Sequence, residues 1–320
     1  MRNSLRGMLP VADTACRVLQ PRDPFPTTQR YSISALEALS IFLRRMAYPA
    51  RLSDLEDLFD RDTTAISSIS NAVLDTLYDK FYGLLQFDYK RLTTATLSAY
   101  ANAIHTKGAC VGFIDGTVRG KCRPNKNQRY MFNGHKVYLH FFQKANYQLT
   151  YATIVALHQK HALKYQSVIA PDGIIIHLSG PFAGTRHDAF ILYESKLLDV
   201  AAPCLSANGK HFVLYGDPAY GQQEHIIASF KGASLSEDEQ EFNKRMSAVR
   251  VVVEWGFGNI VRYWAFIDFS KNQKVYLQRL GKMYAVGAFL TNVHTCIHGS
   301  QTSSFFRMTP PTIQQYIGLE

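Results

Sequence analysis

Three carboxylates in this sequence stand in local settings that suit metal ligands. Asp115 and Asp217 each follow a short apolar run typical of a buried strand, and glycine or proline ends each run. Glu254 lies in a predicted helix among valines and Phe257, and a largely buried helix disfavours an unpaired carboxylate. Carboxylates from two strand ends and one helix can converge on hard divalent cations, which prefer oxygen ligands. A turn role is the alternative for an aspartate that precedes glycine.

The charge balance indicates what such a site would act on. Lys and Arg total 35 against 25 for Asp and Glu, which gives a net charge of +10. This excess favours a polyanionic partner, nucleic acid first and an anionic membrane second, with an indifferent basic surface as the alternative. Combined with the carboxylates, the charge predicts phosphodiester chemistry, in which two divalent ions about 3.5–4 Å apart assist attack and departure of the leaving oxygen.

The bulk composition excludes several classes of protein. Of 320 residues, 47% are hydrophobic and 19% charged, which predicts a packed core rather than disorder. No apolar run approaches the roughly 18 residues that span a bilayer, so we expect no membrane protein. Five scattered cysteines predict free thiols in a reducing compartment. The first ten residues lack the apolar core of a secretory signal, while their arginines leave an organelle-transit segment open.

The chain divides into four predicted parts. Residues 1–30 contain four prolines and predict a loose leader, residues 31–105 an all-helical module, residues 106–299 an α/β domain, and residues 300–320 a polar tail. Within the helical module, capping signals at Ser34 and Ser53 and at Thr63 or Thr64 predict three helices. Their spacing is that of a helix-turn-helix, although plain bundle packing predicts the same pattern.

Apolar runs and periodicity locate the elements of the α/β domain. The predicted strands are 110–114, 138–144, 149–157, 173–178 and 212–215. The predicted helices are 188–198, 237–262 and 283–296.

Basic side chains near the carboxylates are candidates for phosphate contacts. Four of them alternate with aromatic residues after Asp115, as in DNA-facing segments, although a solvated loop has the same composition. The nucleic-acid-binding candidates are Lys121, Arg123, Lys126, Arg129, Arg186, Lys244, Arg245 and Arg250. His187 is a further phosphate-contact candidate beside Arg186. His294 and His298 could bind zinc but lack a second ligand pair at a suitable spacing.

Four motifs, in order, resemble those of PIF/Harbinger-type transposases. They are Asp115-Gly116-Thr117, His187-Asp188, Gly216-Asp217-Pro218-Ala219-Tyr220 and Val253-Glu254-Trp255-Gly256-Phe257-Gly258. That family belongs to the DDE superfamily of endonucleases, and the resemblance covers roughly residues 35–295, including the helix-turn-helix-like module. Trp255 and Pro218-Ala219 depart from the family pattern, which has arginine after the glutamate and Ser-Gly after the second aspartate.

The resemblance implies an RNase H-like mixed sheet flanked by helices, with the helix-turn-helix-like module before it. The strands bearing Asp115 and Asp217 would be neighbours, and the helix would carry Glu254 to the same edge. These three residues would be catalytic and would bind two divalent ions, Mg²⁺ or Mn²⁺, with Asp115 as the bridging ligand. His187 and Asp188 would be auxiliary, although Asp188 also suits a helix N-cap.

The activity implied is metal-dependent cutting and joining of transposon-end DNA. A domesticated, non-catalytic descendant that binds DNA or a protein is one alternative, and an RNase H-type RNA hydrolase is another. The resemblance further implies a Myb-like accessory protein, a homo-oligomer on paired DNA ends and residence in the nucleus.

Overall fold

A computed structural model describes most of the chain. The described residues are 16, 21–27, 29, 31–104, 109–124, 132–133, 137–141, 152–156, 160–230, 232, 234–269, 274–275 and 277–319. Lys126 and Arg129 lie outside these residues, and so does most of the predicted leader.

Helices follow one another before the sheet, as the sequence predicts. They are α1 (Ala35–Ala47), α2 (Ser53–Phe59), α3 (Thr63–Phe81), a 3₁₀ turn (Tyr82–Leu85) and α4 (Thr94–Ile104). Ser34 caps α1 as expected, since its hydroxyl accepts from the Glu37 N–H at 3.2 Å. The caps expected for the next two helices are wrong. Leu52, not Ser53, precedes α2, and Asp62, not a threonine, caps α3.

A six-stranded mixed sheet forms the centre of the α/β part. Its strands are β1 (Cys110–Gly120), β2 (Phe132–Asn133), β5 (Lys160–Ile169), β6 (Ile175–Ala183), β7 (Val213–Gly216) and β8 (Ile226–Ala228). The order is β6-β5-β1-β7-β8, and β2 pairs with the first residues of β5. β1 is antiparallel to β5 and parallel to β7. This arrangement, flanked by helices, is RNase H-like and confirms the predicted fold class.

A separate two-stranded hairpin lies in the sequence between β2 and β5. β3 (Val137–Phe141) and β4 (Ala152–Ala156) pair antiparallel, from Val137 opposite Ala156 to Phe141 opposite Ala152. The hairpin is where the sequence predicts one, but the expected turn at 145–148 lies outside the described residues.

Within the described ranges, six α-helices follow the strands or separate them. They are α5 (Asp188–Ser195), α6 (Leu197–Leu205), α7 (Glu237–Tyr263), α8 (Leu280–His298), α9 (Gln301–Phe305) and α10 (Ile313–Ile317). The single helix predicted at 188–198 is wrong, because Lys196 adopts a left-handed conformation with φ 49° and separates α5 from α6. Residues 300–320, predicted as a polar tail with a short apolar end, contain α9 and α10, and α10 buries Ile313 and Tyr316.

The helices before the sheet and the sheet itself contribute to one hydrophobic cluster. α8 packs against both α3 and β6. Phe81 of α3 stacks on Phe289 of α8 with ring centroids 4.6 Å apart. One turn further along α8, the Asn292 side chain accepts from the Ile175 N–H and donates to the Ile175 carbonyl, each at 2.8 Å. The domain boundary at residue 105 remains a prediction. The helices before it pack against the α/β part that follows it.

No helix in the described ranges combines the length and the apolar character that a bilayer crossing requires.

Candidate active site

Strand register brings the first two predicted carboxylates to one edge of the sheet. β1 and β7 run parallel, with Phe113 opposite Tyr215. Asp115 and Asp217 each lie two residues beyond that pair, so they stand side by side at the carboxyl end of β7. β1 itself continues to Gly120, so the prediction that Asp115 ends its strand is wrong. Asp115 keeps 15% of its side-chain surface exposed, and Asp217 is half-buried. The sheet thus places these two residues together, as the resemblance implies.

A third carboxylate, Asp188, reaches the same place from the start of α5. A Cβ atom on Gly116 would lie 2.7 Å from the Asp188 Oδ1 atom, so the glycine after Asp115 leaves room for this carboxylate. Lys164 on β5 pairs with the same oxygen at 3.2 Å. The N-cap of α5 is His187, which is exposed and makes no side-chain capping bond. The N-cap alternative for Asp188 is therefore wrong.

Electrostatic coupling joins these groups into one acidic cluster, which we define as Asp115, Asp188 and Asp217. Burial raises the pKa of Asp115 to about 6; Arg250 and the Gly116 N–H oppose this rise, and Asp217 and Asp188 add to it. Burial also raises the pKa of the Tyr220 phenol well above its usual range, and the same three aspartates contribute. These groups act on one another's charge, and carboxylate oxygens are the ligands that a hard divalent cation prefers. The ligand oxygens of the three aspartates do not all lie within 4.8 Å of one another, so an ion would have to draw them closer together.

Glu254 occupies a different environment from the one expected. Six residues of the 27-residue helix α7 are buried, namely Met246, Val252, Val253, Gly256, Phe257 and Ile260. The Glu254 side chain is exposed, so the expectation of a glutamate held in a largely buried helix is wrong. The ligand atoms of Asp115, Asp217 and Glu254 do not all lie within 4.8 Å of one another. The ligand role of Glu254 remains a prediction.

Helix α7 nevertheless extends a charged group to the acidic cluster. Arg250 lies one turn before Glu254, and its Nη2 atom is 3.6 Å from the Asp115 Oδ2 atom. Residues four apart on a helix share a face, so Glu254 is on the side of α7 that carries Arg250. A glycine brings α7 close to the sheet, since a Cβ atom on Gly256 would collide with the Ile169 side chain of β5.

Lys121 cannot contact phosphate as predicted. Its side chain is buried, with 7% of the residue exposed, and its ammonium group donates to the Ile267 carbonyl at 3.4 Å. Burial lowers the pKa of Lys121 to about 8. The residue follows β1 directly, and the end of the strand turns it inward.

The other basic candidates in the described residues are accessible. Arg123, Arg186, Lys244 and Arg245 are exposed. The Arg186 guanidinium lies over the Phe190 ring at 4.3 Å, and Arg245 pairs with Glu241 at 2.7 Å. Their roles in binding nucleic acid remain predictions.

Two residues of the site have no role in the sequence prediction. Lys164 lies on β5, a strand that apolar periodicity does not reveal. Tyr220 is buried against Gly216, where a Cβ atom would lie 2.8 Å from its ring, and Gln166 donates to its hydroxyl at 3.5 Å. The Gly-Asp-x-x-Tyr spacing was the available signal, because a tyrosine one turn after a strand-end aspartate can fold back over the glycine.

Comparison with protein families shows similarity to a superfamily of nucleases. The family described as DDE superfamily endonuclease matches residues 140–292, just under half of the chain. The matched segment includes Asp188, Asp217, Arg250 and Glu254, whereas Asp115 precedes it. No curated protein matches the chain, and no solved structure does. The family match and the RNase H-like sheet together support a DDE superfamily endonuclease domain, and the PIF/Harbinger subtype remains a prediction.

Asp115→Asn is expected to stabilise the metal-free protein at pH 7. The pKa of Asp115 rises from 3.8 to about 6 on folding, so between these values the folded state holds a proton that the unfolded chain has released. Stability therefore falls as pH rises through this window, and the penalty persists above it. Asparagine cannot ionise, which removes a penalty of up to about 3 kcal/mol at 1.36 kcal/mol per pKa unit.

Urea unfolding in the presence of EDTA tests this prediction. The stability difference between variant and wild type should be larger at pH 7 than at pH 4. Asp57→Asn, at an exposed position of α2, is the control and should show little change between the two pH values. A destabilised Asp115→Asn protein at pH 7 would contradict the predicted burial penalty.

Proposed function

We propose that this protein is a divalent-metal-dependent DNA endonuclease of the transposase type, which cuts and joins transposon-end DNA. The observation that carries the proposal is the acidic cluster at the carboxyl end of β7, beside Asp115 of β1, on an RNase H-like sheet. The family match gives the coarser class of DDE superfamily endonuclease. The net charge of +10 supports a polyanionic substrate.

The carboxylates are the groups that would hold Mg²⁺ or Mn²⁺. Asp115 and Asp217 are the first two ligands, and Glu254 is the predicted third. When bound, such ions supply Lewis-acid stabilisation of the charge that develops on the phosphodiester. Asp115 loses its proton above about pH 6, so at neutral pH no proton competes with a metal ion for its carboxylate. Tyr220 keeps its proton there, because its pKa is raised, and it presents a hydroxyl donor beside the cluster.

Two cations of the chain itself adjust the charge of the site. Lys164 pairs with Asp188, and Arg250 lies beside Asp115. Arg250 keeps 35% of its side-chain surface exposed, so its guanidinium can reach a phosphate of a strand laid across the cluster. Exposed Arg186 and Lys244 would extend the phosphate contacts on either side.

The finer features of the proposal rest on the motif resemblance. The order of the Asp115, Asp188, Asp217 and Glu254 motifs supports the PIF/Harbinger subtype. With that subtype go a Myb-like accessory protein, a homo-oligomer that holds two DNA ends, and residence in the nucleus. Two joined ends need two sites, which is the physical reason for more than one copy.

Nicking of supercoiled plasmid DNA by the full chain tests the proposal, because it needs no knowledge of the end sequence. Nicked product is expected with Mn²⁺ or Mg²⁺ and none with EDTA. DNA binding without metal-dependent nicking would contradict the proposed endonuclease activity and would favour the non-catalytic, DNA-binding descendant. Preferential cutting of the RNA strand of an RNA–DNA hybrid would favour the RNA hydrolase instead.

A further inference from the structure

A second group of ligating side chains lies at the other end of β7, away from Asp217. His211 stands just before β7, and Glu224 and His225 stand just before β8. One ligand atom from each of the three lies within 4.8 Å of the other two, and among the described residues no other trio of His, Cys, Asp or Glu does so. We propose that His211, Glu224 and His225 form a binding site for one Zn²⁺ ion.

Hydrogen bonds fix which ring nitrogens are available. The Nδ1 atom of His225 is 2.9 Å from the Phe212 carbonyl oxygen, and the Nε2 atom of His211 is 2.7 Å from the Glu224 carbonyl oxygen. A carbonyl oxygen can only accept, so both of these nitrogens carry protons. In a neutral imidazole the other nitrogen then has a free lone pair, which leaves His225 Nε2 and His211 Nδ1 as ligand atoms. Backbone carbonyls orient metal-binding histidines in this way.

The donor set indicates the class of ion. Two imidazole nitrogens and one carboxylate with an open fourth position suit Zn²⁺. Mg²⁺ prefers oxygen ligands, such as those of the acidic cluster. The two sites should therefore be selective for different ions. His225 is 3% exposed, which fixes one ligand rigidly, while His211 and Glu224 are exposed and keep the site open to solvent.

Two local adjustments accompany binding. The Ser206 Oγ atom lies 3.0 Å from His225 Nε2, so this hydroxyl must turn aside when an ion takes the lone pair. The His211 and His225 rings stack with centroids 4.6 Å apart and planes inclined by 24°. The exposed His211 ring must therefore tilt to aim its free nitrogen at the same ion as His225.

The site would brace the segment that carries Asp217. The loop that starts at Asp217 returns to β8 through Glu224 and His225, and the Leu214 N–H of β7 donates to the His225 carbonyl at 2.9 Å. An ion held by His211, Glu224 and His225 would link the start of β7 to the start of β8, the two strands that this loop connects. Its contribution is structural and does not depend on cleavage of DNA.

Calorimetric titration of the metal-free full chain with Zn²⁺, in excess Mg²⁺ to occupy the oxygen sites, tests the proposal. One Zn²⁺ per chain is expected, with an increase in melting temperature. His211→Gln and Glu224→Gln replace exposed residues, so both variants should fold. Each should weaken Zn²⁺ binding by about tenfold or more and remove the increase in melting temperature.

His298→Gln is the matched control, because His298 is exposed and lies near a second histidine, His294, with ring centroids 4.7 Å apart. It should bind Zn²⁺ as wild type does. Loss of binding in this control with retention in His211→Gln would overturn the proposal, as would a wild-type chain that binds no Zn²⁺.

Discussion

Asp115→Asn is expected to reduce metal-dependent DNA nicking at least about a thousand-fold, equivalent to roughly 4 kcal/mol of transition-state stabilisation. Asp115 lies at the centre of the acidic cluster, where Asp188, Asp217, Tyr220 and Arg250 all act on its charge. Asparagine keeps the shape of the side chain and the room beside Gly116, but it removes the negative charge. The initial rate of plasmid nicking in Mn²⁺ measures the loss.

Three further substitutions assign the remaining carboxylates. Asp217→Asn and Glu254→Gln should each cause a loss as large as that of Asp115→Asn, while Asp188→Asn should cause a smaller one. Glu237→Gln, exposed at the start of α7, should nick as wild type does. Wild-type rates in Asp115→Asn would remove the assigned site. Full activity in Glu254→Gln with inactivity in Asp188→Asn would make Asp188 the third ligand.

Asp172→Ala is expected to destabilise the protein by about 3–5 kcal/mol, because it leaves a buried charge without its partner. Asp172 is 3% exposed. Its Oδ2 atom accepts from Arg91 at 3.2 Å and from the Tyr100 hydroxyl, and its Oδ1 atom accepts from the Ile174 N–H at 3.0 Å. The substitution removes all three hydrogen bonds, and Arg91 keeps only 12% of its side-chain surface exposed.

Urea unfolding of the wild type and of Asp172→Ala measures this difference in the free energy of unfolding. Glu241→Ala removes an exposed ion pair with Arg245 and should change the free energy of unfolding little, because solvent screens the pair. Asp172→Asn should fall between the two, since the amide oxygen can still accept from Ile174. Equal losses of stability for Asp172→Ala and Glu241→Ala would show that burial does not increase the contribution of the Arg91–Asp172 ion pair.

Elements with uninterrupted local patterns could be predicted from the sequence. β7 and the first half of β1 coincide with short apolar runs, and α7 and α8 show sustained helical periodicity. β1 continues to Gly120, beyond the end predicted at residue 114. β5 was missed because Lys164, Gln166 and Ser167 interrupt its apolar pattern, although Gln166 and Ser167 are fully buried in the sheet. β8 has three residues, too few to carry a period. The break between α5 and α6 depends on a lysine in the left-handed region, for which the sequence gives no signal.

The site was predictable where backbone order decides it and unpredictable where tertiary packing does. Asp115 and Asp217 could be paired, because the motif order implies adjacent strand ends. The exposure of Glu254 depends on which face α7 turns to the sheet, and the Gly256–Ile169 contact sets that face. Lys121 and Arg123 are both basic, but the Lys121 side chain is buried and the Arg123 side chain is exposed. The sequence pattern of basic residues does not show which side chains face the solvent.

The packing of α3 on α8 decides how this protein could be divided. A fragment that begins at residue 106 would expose the Phe289 ring, which Phe81 covers, and would leave Lys282 without its partner Asp75, 2.9 Å away. Because α8 also packs on β6, this loss would reach the sheet. Replacing the amino-terminal helices with those of a related protein would therefore require matching changes in α8.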